Sequence, residues 1–457
     1  VNREDAFVIA AAAMLVVSVS VPVVGANGSE ATEGEITFDP DVPDVDAFEP
    51  PTEDGTATVD GERYGSAGAA LDAAEPGDRV VLDGRFDERL VIDTPGVTVT
   101  SADANDRAMI DGGGEGDALT IAAEDVTVEG VWIANSGPSA DTEDAGVVVD
   151  GENAELRDVR ITDITFGVWV DGVENVTIAD ATIAGREGVP TAERGNGIHL
   201  WEADGATVEE NHVTNVRDGI YYSYSSDVVA EGNTLWELRY GVHYMYSDDN
   251  LLRGNVAFDN DVGFALMVSE NLTVVDNVAV GNSGTSGHGI LVKDIERSEI
   301  RGNEVVANGN GLYVYNAQDN AIVENLVLEN GVGIHSTAGS GGQEVVGNTV
   351  VENDLAAVST ASGQVEWNDD ERGNYWGDAR TADVTGDGIS DVRHQPAGTV
   401  ERLLHDRPAA AVFAESPAFD AIRLAESSFP AVESSGVVDH RPLAEPTHED
   451  WREYYED

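Results

Sequence analysis

The sequence predicts an all-β chain wound as a right-handed parallel β-helix, a solenoid of roughly 14 coils with repeats of about 22 residues and a short helical C-terminal cap. Three observations lead there. The first is the period. Written in lines that begin at Gly, the chain reads GIHLWEADGATVEENHVTNVRD from Gly197, GIYYSYSSDVVAEGNTLWELRY from Gly219 and GVHYMYSDDNLLRGNVAFDNDV from Gly241. Further lines start at Gly263, Gly289, Gly311 and Gly333, weaker copies at Gly146 and Gly167, and five of the seven main lines are 22 residues long. The second is a pair of apolar columns. The second position of each line is Ile198, Ile220, Val242, Phe264, Ile290, Leu312 and Ile334; the fourth is Leu200, Tyr222, Tyr244, Leu266, Val292, Val314 and Ser336. Side chains two residues apart share one face of a strand, so both columns should point into the solenoid. The third is Asn at the fifteenth position: Asn211, Asn233, Asn255, Asn277, Asn303 and Asn325, with Asn348 one step displaced. Asn at a corner tolerates left-handed geometry and bonds its own backbone, and stacked copies form an amide ladder.

The remaining segments follow in chain order. Ala6 to Ala26 is a 21-residue run without charge, preceded by Arg3 and ending in the small residues Val24-Gly25-Ala26. Residues 1–26 therefore read as a signal peptide or a membrane anchor, and either one places the rest of the chain outside the cytoplasm. Residues 27–58 read as an acidic, Pro-rich flexible linker with too little apolar surface to order itself. The repeats occupy 59–378 and close with GNYWGD at Gly373–Asp378. An Asp/Gly-rich loop spans 379–397, where DVTGDGISD sets Asp383, Asp387 and Asp391 at positions 1, 5 and 9 of a calcium loop with Gly388 at 6. Thr385 at position 3 and His394 at position 12 depart from that pattern, and the alternative is an Asx-rich turn. Residues 398–431 read as two short helices split by Pro408 and Pro417, with Leu403, Leu404, Val412, Phe413, Phe419, Ile422, Leu424 and Phe429 packing as a cap on the open end of the rod or docking on a partner. Residues 432–457 read as a flexible acidic tail.

Charge narrows the function. Against 24 Lys+Arg stand 87 Asp+Glu, a net charge of −63, and Lys293 is the only lysine. Such a surface repels phosphate, which excludes nucleic acid and anionic lipid as partners. Its self-repulsion becomes tolerable where the Debye length falls to ~3 Å, near 1 M salt, so a protein of a halophilic organism is expected. With no Cys there is no disulfide scaffold, iron–sulfur cluster or thiolate zinc site.

If positions two and four face inward, three and five face solvent. They read His199 and Trp201, Tyr221 and Ser223, His243 and Met245, Ala265 and Met267, with Tyr224 and Tyr246 just beyond. In so acidic a chain an outward stripe of aromatic, His and Met side chains is unexpected. It fits three readings: a protein-docking strip, a strip covered by the chain's own loops or tail, or a metal site. For metal, the imidazole of His243 with the thioethers of Met245 and Met267 suits Cu(I), since soft sulfur selects it and no thiolate competes; His199 would be a looser fourth ligand. Trp201, Tyr221, Tyr224 and Tyr246 are the candidate partner contacts. The alternative class is a cell-surface polysaccharide-binding or polysaccharide-degrading β-helix, for which Glu202 and Asp218 beside Trp201 and Tyr221 form the best carboxylate pair.

The run RGNGIHLWE…NVRDGIYYSYS…ELRYGVHYMYSDDN…NDVGFALMVSEN, with the opening SAGAALDAAEPGDRVVL and the tail ESPAFDAIRLAESSFPAVESSGVVDHRPLAEP, resembles the NosD family over roughly residues 60–446. RYGVHYMYSDDN from Arg239 to Asn250 is its most specific part. The resemblance implies an extracytoplasmic accessory protein, not an enzyme, that works with a membrane ABC transporter of the NosF–NosY kind. It further implies assistance in loading copper into nitrous oxide reductase, with the copper chaperone NosL as another partner. His243, Met245 and Met267 fall in or beside the most distinctive motif.

Overall fold

The computed structural model describes residues 36–361, 363–398 and 436–455, with isolated residues between 400 and 422. The proposed signal or anchor at 1–26 lies outside the described residues, as does most of the helical cap at 398–431. The rest winds into a parallel β-solenoid of about 14 turns with very little helix. A full coil contributes one short strand to each of three walls. The first wall has 14 strands, from Thr56–Val59 and Glu62–Tyr64 to Glu344–Val346; the second has 13, ending at Tyr375–Trp376; the third has 12, from Leu90–Ile92 to Leu355–Ser359. In the third wall Ile198 pairs with Ile220, Ile220 with Val242, Val242 with Phe264 and Phe264 with Ile290, which is the register of the Gly-led lines. The expected inward columns are sealed from water, and Tyr222 and Tyr244 stack inside at 4.2 Å.

Gly leads each line because the coils touch there. A Cβ on Gly241 would stand 2.5 Å from the carbonyl oxygen of Gly263, a distance no side chain tolerates.

The asparagines form the expected ladder. Asn233 Nδ2 donates to Asn255 Oδ1 at 2.8 Å and to the Val208 carbonyl at 2.9 Å, and the same pattern runs on through Asn277, Asn303, Asn325, Asn348 and Asn374. One detail differs from expectation. The left-handed residue is the one before each Asn from Asn211 to Asn348, for example Gly232 (φ +68°) and Gly254 (φ +64°), and the amide uses its freedom to bond the next coil rather than its own turn. A second ladder joins Asn260, Asn282, Asn308, Asn330 and Asn353. It was readable as Asn at the twentieth position of four lines.

Both ends are closed. A seven-residue helix, Ala67–Ala73, sits at the N-terminal end with Ala67, Ala70 and Leu71 buried, and the Ser66 hydroxyl accepts the Ala69 N–H at 3.2 Å as its N-cap. At the other end Trp367 and Trp376 stack with ring centroids 6.4 Å apart.

The stretch 432–457, read as a flexible tail, packs where it is described. Gly436–Val438 pairs with Gln364–Glu366, and buried Asp439 accepts the Asn374 N–H at 2.7 Å and the Trp376 Nε1–H at 2.8 Å. Trp451 is buried on the second wall. The linker is corrected likewise from residue 36 onward. Phe38 meets Phe258 edge-on at 5.6 Å, Phe48 meets Trp132 at 6.0 Å, and the Thr37 N–H donates to the Tyr454 carbonyl at 2.8 Å. Average composition hid these anchors. A few spaced aromatics suffice when a wall offers an apolar column to receive them.

The walls therefore differ on their outer faces. The first carries ion pairs along its strands, Arg157 with Glu155, Arg253 with Glu231 and Arg301 with Glu299, at 2.8, 2.5 and 2.8 Å. The second is roofed by the chain's own N- and C-terminal segments. The third presents the aromatic, His and Met strip.

Candidate functional site

The strip is built on the strands Ile198–Trp201, Asp218–Ser223, Tyr240–Met245 and Val262–Met267. All of the proposed strip residues stand on this one wall. Their exposure, however, falls into two classes. The third-position rings face outward but enclose one another: Trp169 to His199 is 3.9 Å between ring centroids, His199 to Tyr221 is 4.7 Å and Tyr221 to His243 is 4.8 Å. His199 and His243 are only 7% and 8% exposed, against the expectation of solvent-facing side chains. Coils lie about 4.8 Å apart, so large rings in one column shield their neighbours from water.

The outer edge of the strip is open. Trp201, Tyr224 and Tyr246 are 38%, 50% and 49% exposed. Tyr224 stacks on Tyr246 at 5.2 Å and Trp201 meets Tyr224 edge-on at 5.7 Å. Both tyrosines adopt φ near +55°, at the left-handed corner that Gly172, Glu202, Val268, Asp294 and Asn316 occupy in other coils. A bulky residue is disfavoured in that region, and such outliers concentrate at functional sites.

The thioethers of Met245 and Met267 are half-buried, and Met267 packs against a cluster of Val262, Ala265 and Leu291. The register Tyr240–Val262, Val242–Phe264, His243–Ala265 puts Met267 beside Met245 in the next coil. His199 is two coils from His243, about 9.6 Å by strand spacing, with Tyr221 between them. It cannot share an ion with His243, which corrects its expected role as a fourth ligand.

Three residues position His243: Asp218, which the sequence offered only as half of a carboxylate pair, and Arg239 and Tyr240, which it did not single out. Asp218 is buried and accepts from Arg239 Nε at 2.8 Å, and its Oδ2 lies 3.0 Å from His243 Nδ1. Tyr240 meets His243 edge-on at 4.9 Å, and the Arg239 guanidinium lies 4.3 Å above the Tyr240 ring. Strict alternation from the second position would turn Asp218 inward. The Gly that leads each line interrupts the alternation, so the residue before it shares the side of the third position. The same device brings His288, also unremarked in the sequence, to stack on Tyr313 at 4.6 Å. Burial opposes the charge on Asp218, but the hydrogen bonds from His243 and Arg239 outweigh it and hold the carboxyl below its usual range.

Burial lowers the His199 imidazole to about 4, with the charge of Asp218 pulling weakly the other way. The sign of its contribution follows. Between an unfolded value of 6.5 and a folded value of about 4, the unfolded chain takes a proton that the fold refuses, so stability falls as pH drops through that window. The loss amounts to roughly 3 kcal/mol at about 1.4 kcal/mol per pH unit. A His199→Gln variant is expected to lose that part of the slope, read as the difference between its urea midpoints and those of the unaltered chain at neutral pH and at pH near 4.5.

Two expectations fail on geometry. Asp383, Asp387 and Asp391 do not gather around a cation position, and among the described residues no three His, Asp or Glu are placed to hold a metal. Asp383 instead accepts the N–H groups of Gly386 and Gly388 at 2.6 and 2.9 Å and Asp391 that of Val384 at 2.8 Å, while Asp387 accepts the Ile389 N–H two residues on at 3.1 Å, which is the Asx turn of this loop. The carboxylate pair offered for a glycosidase is also separated. Asp218 opens its strand and is engaged by Arg239 and His243, while Glu202 follows its strand at the opposite corner, roughly 20 Å away at about 3.3 Å per residue.

Comparison with known proteins decides the family. Residues 180–381 match the family described as "Periplasmic copper-binding protein (NosD)". A "Probable ABC transporter binding protein NosD" of Stutzerimonas stutzeri is 39% identical over 355 residues, covering 74% of this chain and 80% of that protein. The chain belongs to the NosD family. A protein of the same description from Pseudomonas aeruginosa is likewise 39% identical, over 79% of this chain and 86% of its own. Among solved structures, the A-module of mannuronan C-5 epimerase AlgE6 from Azotobacter vinelandii is similar with a TM-score of 0.53 at 16% identity, covering 64% of this chain and 90% of that one. The AlgE4 A-module aligns equally well, with a TM-score of 0.53. At that identity the likeness speaks for the β-helix alone. The NosD relatives are named as binding proteins, not as enzymes.

Proposed function

We propose that this NosD-family chain is an extracytoplasmic scaffold that assists copper delivery to, and maturation of, nitrous oxide reductase. In this reading it works with an ABC transporter of the NosF–NosY kind and the copper chaperone NosL, and catalyses no covalent step. The observation that carries the reading is the contrast between walls. The first wall is covered in ion pairs and the second is roofed by the chain's own ends. On the third wall Trp201, Tyr224 and Tyr246 stand open. Exposed, mutually stacked aromatics are the residues that anchor protein interfaces, and left-handed tyrosines are held there against a backbone preference.

Copper enters as cargo. His243 with Met245 and Met267, in a chain without Cys, is a soft donor set suited to Cu(I). The net charge of −63 draws cations and basic partner surfaces toward the rod. ATP hydrolysis belongs to the transporter, because the only lysine, Lys293, is followed by Asp294 and cannot complete a phosphate-binding loop. The description of the family as copper-binding and the naming of the relatives as ABC transporter binding proteins support the same reading.

The test is complementation of a strain lacking this gene. A chain carrying Trp201→Ala, Tyr224→Ala and Tyr246→Ala is expected to accumulate normally, since these residues lie outside the core, yet to fail to restore nitrous oxide reduction. Full restoration would remove the docking role of the strip.

A further inference from the structure

The two enclosed histidines of the strip are held in different ways. His243 Nδ1 is 3.0 Å from the Asp218 carboxylate, which is itself gripped by Arg239. A carboxylate only accepts, so Nδ1 carries the proton, and in the neutral ring Nε2 keeps its lone pair. His199 Nδ1 is 3.1 Å from the side-chain amide nitrogen of Asn196. An amide N–H only donates, so this Nδ1 accepts and the proton lies on Nε2. In both rings Nε2 is buried and has no hydrogen-bonding partner among the described residues. A buried imidazole nitrogen without a partner is costly unless something fills the position in the working protein.

We propose that Asp218, braced by Arg239, is the positioning residue that fixes His243 with a free Nε2 lone pair, which makes this atom the nitrogen donor to Cu(I), and that Asn196 fixes His199 in the opposite tautomer, as a hydrogen-bond donor rather than a ligand. This deepens, and rests on, the reading of the strip as copper-handling. The arrangement follows the general rule that a ligating His donates its other N–H to a carboxylate, which orients the ring and raises its basicity. His199 lacks such a carboxylate on its Nδ1 and stands about two strand spacings away. The column therefore offers a soft-metal donor at His243 and an N–H at His199, on either side of Tyr221. A bound anionic or carbonyl group of a partner is the chemistry that suits the second position.

The test uses the full chain with isotope-labelled histidine, at mildly alkaline pH, with long-range proton–nitrogen correlation to report each tautomer. Resonances are assigned with His243→Gln and His199→Gln. In the unaltered chain His243 is expected to show a proton on Nδ1 and a bare Nε2, and His199 the reverse. Asp218→Asn should move His243 toward the other tautomer and weaken Cu(I) binding by about 10–100-fold in competition with a Cu(I) chelator. Asp218→Glu should recover part of both, and His199→Gln should leave Cu(I) affinity unchanged. A proton on His243 Nε2 in the unaltered chain overturns the proposal without reliance on any variant. So does an Asp218→Asn chain that is folded and keeps both tautomer and affinity. A His199→Gln loss equal to that of Asp218→Asn overturns the assignment of His199. The expected tautomers in a chain that binds no Cu(I) would uphold the positioning by Asp218 and Asn196 and remove the copper reading instead.

Discussion

A chain in which both His243 and Met245 are replaced by alanine will bind Cu(I) more weakly than the unaltered chain, by more than the roughly 10–100-fold that loss of an outer-shell partner alone causes. The chain has no Cys and only four Met, and Met245 and Met267 occupy neighbouring coils on one face. His243, in the coil of Met245, contributes an imidazole nitrogen that is buried and, among the described residues, without a partner. Thioether and imidazole ligands favour Cu(I) over the harder ions that an acidic surface would otherwise collect. Removing two of three donors leaves a lone thioether, which cannot hold the ion against a chelator. Because Met245 is half-buried on the outer face, the double variant should retain its fold, and circular dichroism checks this. Titration of both chains against a chromophoric Cu(I) chelator supplies the number. A double variant with unchanged affinity would mean that copper, if bound at all, sits elsewhere.

The largest effect on stability is expected from the ladder. Asn255→Ala removes a side chain that donates to the Ala230 and Arg253 carbonyls and to Asn277 Oδ1, at 3.0, 3.1 and 2.9 Å. Its oxygen also accepts from the backbone and the side chain of Asn233, at 3.0 and 2.8 Å. Asn233, Asn255, Asn277 and Ala230 are fully buried, so these partners find no water to replace the amide. At about 1 kcal/mol for each of these five hydrogen bonds, with a further 1–3 kcal/mol for a buried group left unpaired, the cost is roughly 6–8 kcal/mol. In a solenoid each coil holds its neighbours, so the break should also split the unfolding transition, with the coils on either side of Asn255 melting apart. Scanning calorimetry and urea denaturation read both effects. Asn255→Asp should be at least as damaging, since it places an acceptor where a donor is needed.

Much of this was legible in the text of the sequence, and the reasons are physical. A period of 22 residues stacks equivalent positions, so an apolar column, a Gly column and an Asn column each mark a place in space through their spacing alone. The placement of Trp201, Tyr221, His243, Met245 and Met267 on one outward face followed from the same alternation. What the sequence concealed came from breaks in that alternation and from long-range packing. Asp218 and His288 reach the outer face only because the Gly after each one resets the pleat. The near-complete burial of His199 and His243 depends on the width of neighbouring rings, which a period does not encode. The roof over the second wall needed knowledge that Phe38, Phe48 and Trp451 would find Phe258, Trp132 and the apolar column beside them. An acidic composition argued against any such docking. The loop at Asp383 was ambiguous for a different reason: calcium loops and Asx turns use the same residue types, and only the structure shows Asp383 and Asp387 accepting from the loop's own backbone N–H groups.

The claim on which the rest depends is that the outer face of the third wall is the working surface. Hydrogen exchange and side-chain labelling of the chain, alone and bound to its ABC transporter or copper chaperone in detergent, test it most directly. Protection should centre on Trp201, Tyr221, Tyr224, Tyr246 and the strands Asp218–Ser223 and Tyr240–Met245, with the ion-paired first wall unchanged. Protection confined to the first wall or to the ends of the rod, with Trp201, Tyr224 and Tyr246 as reactive in the complex as in the free chain, would contradict it.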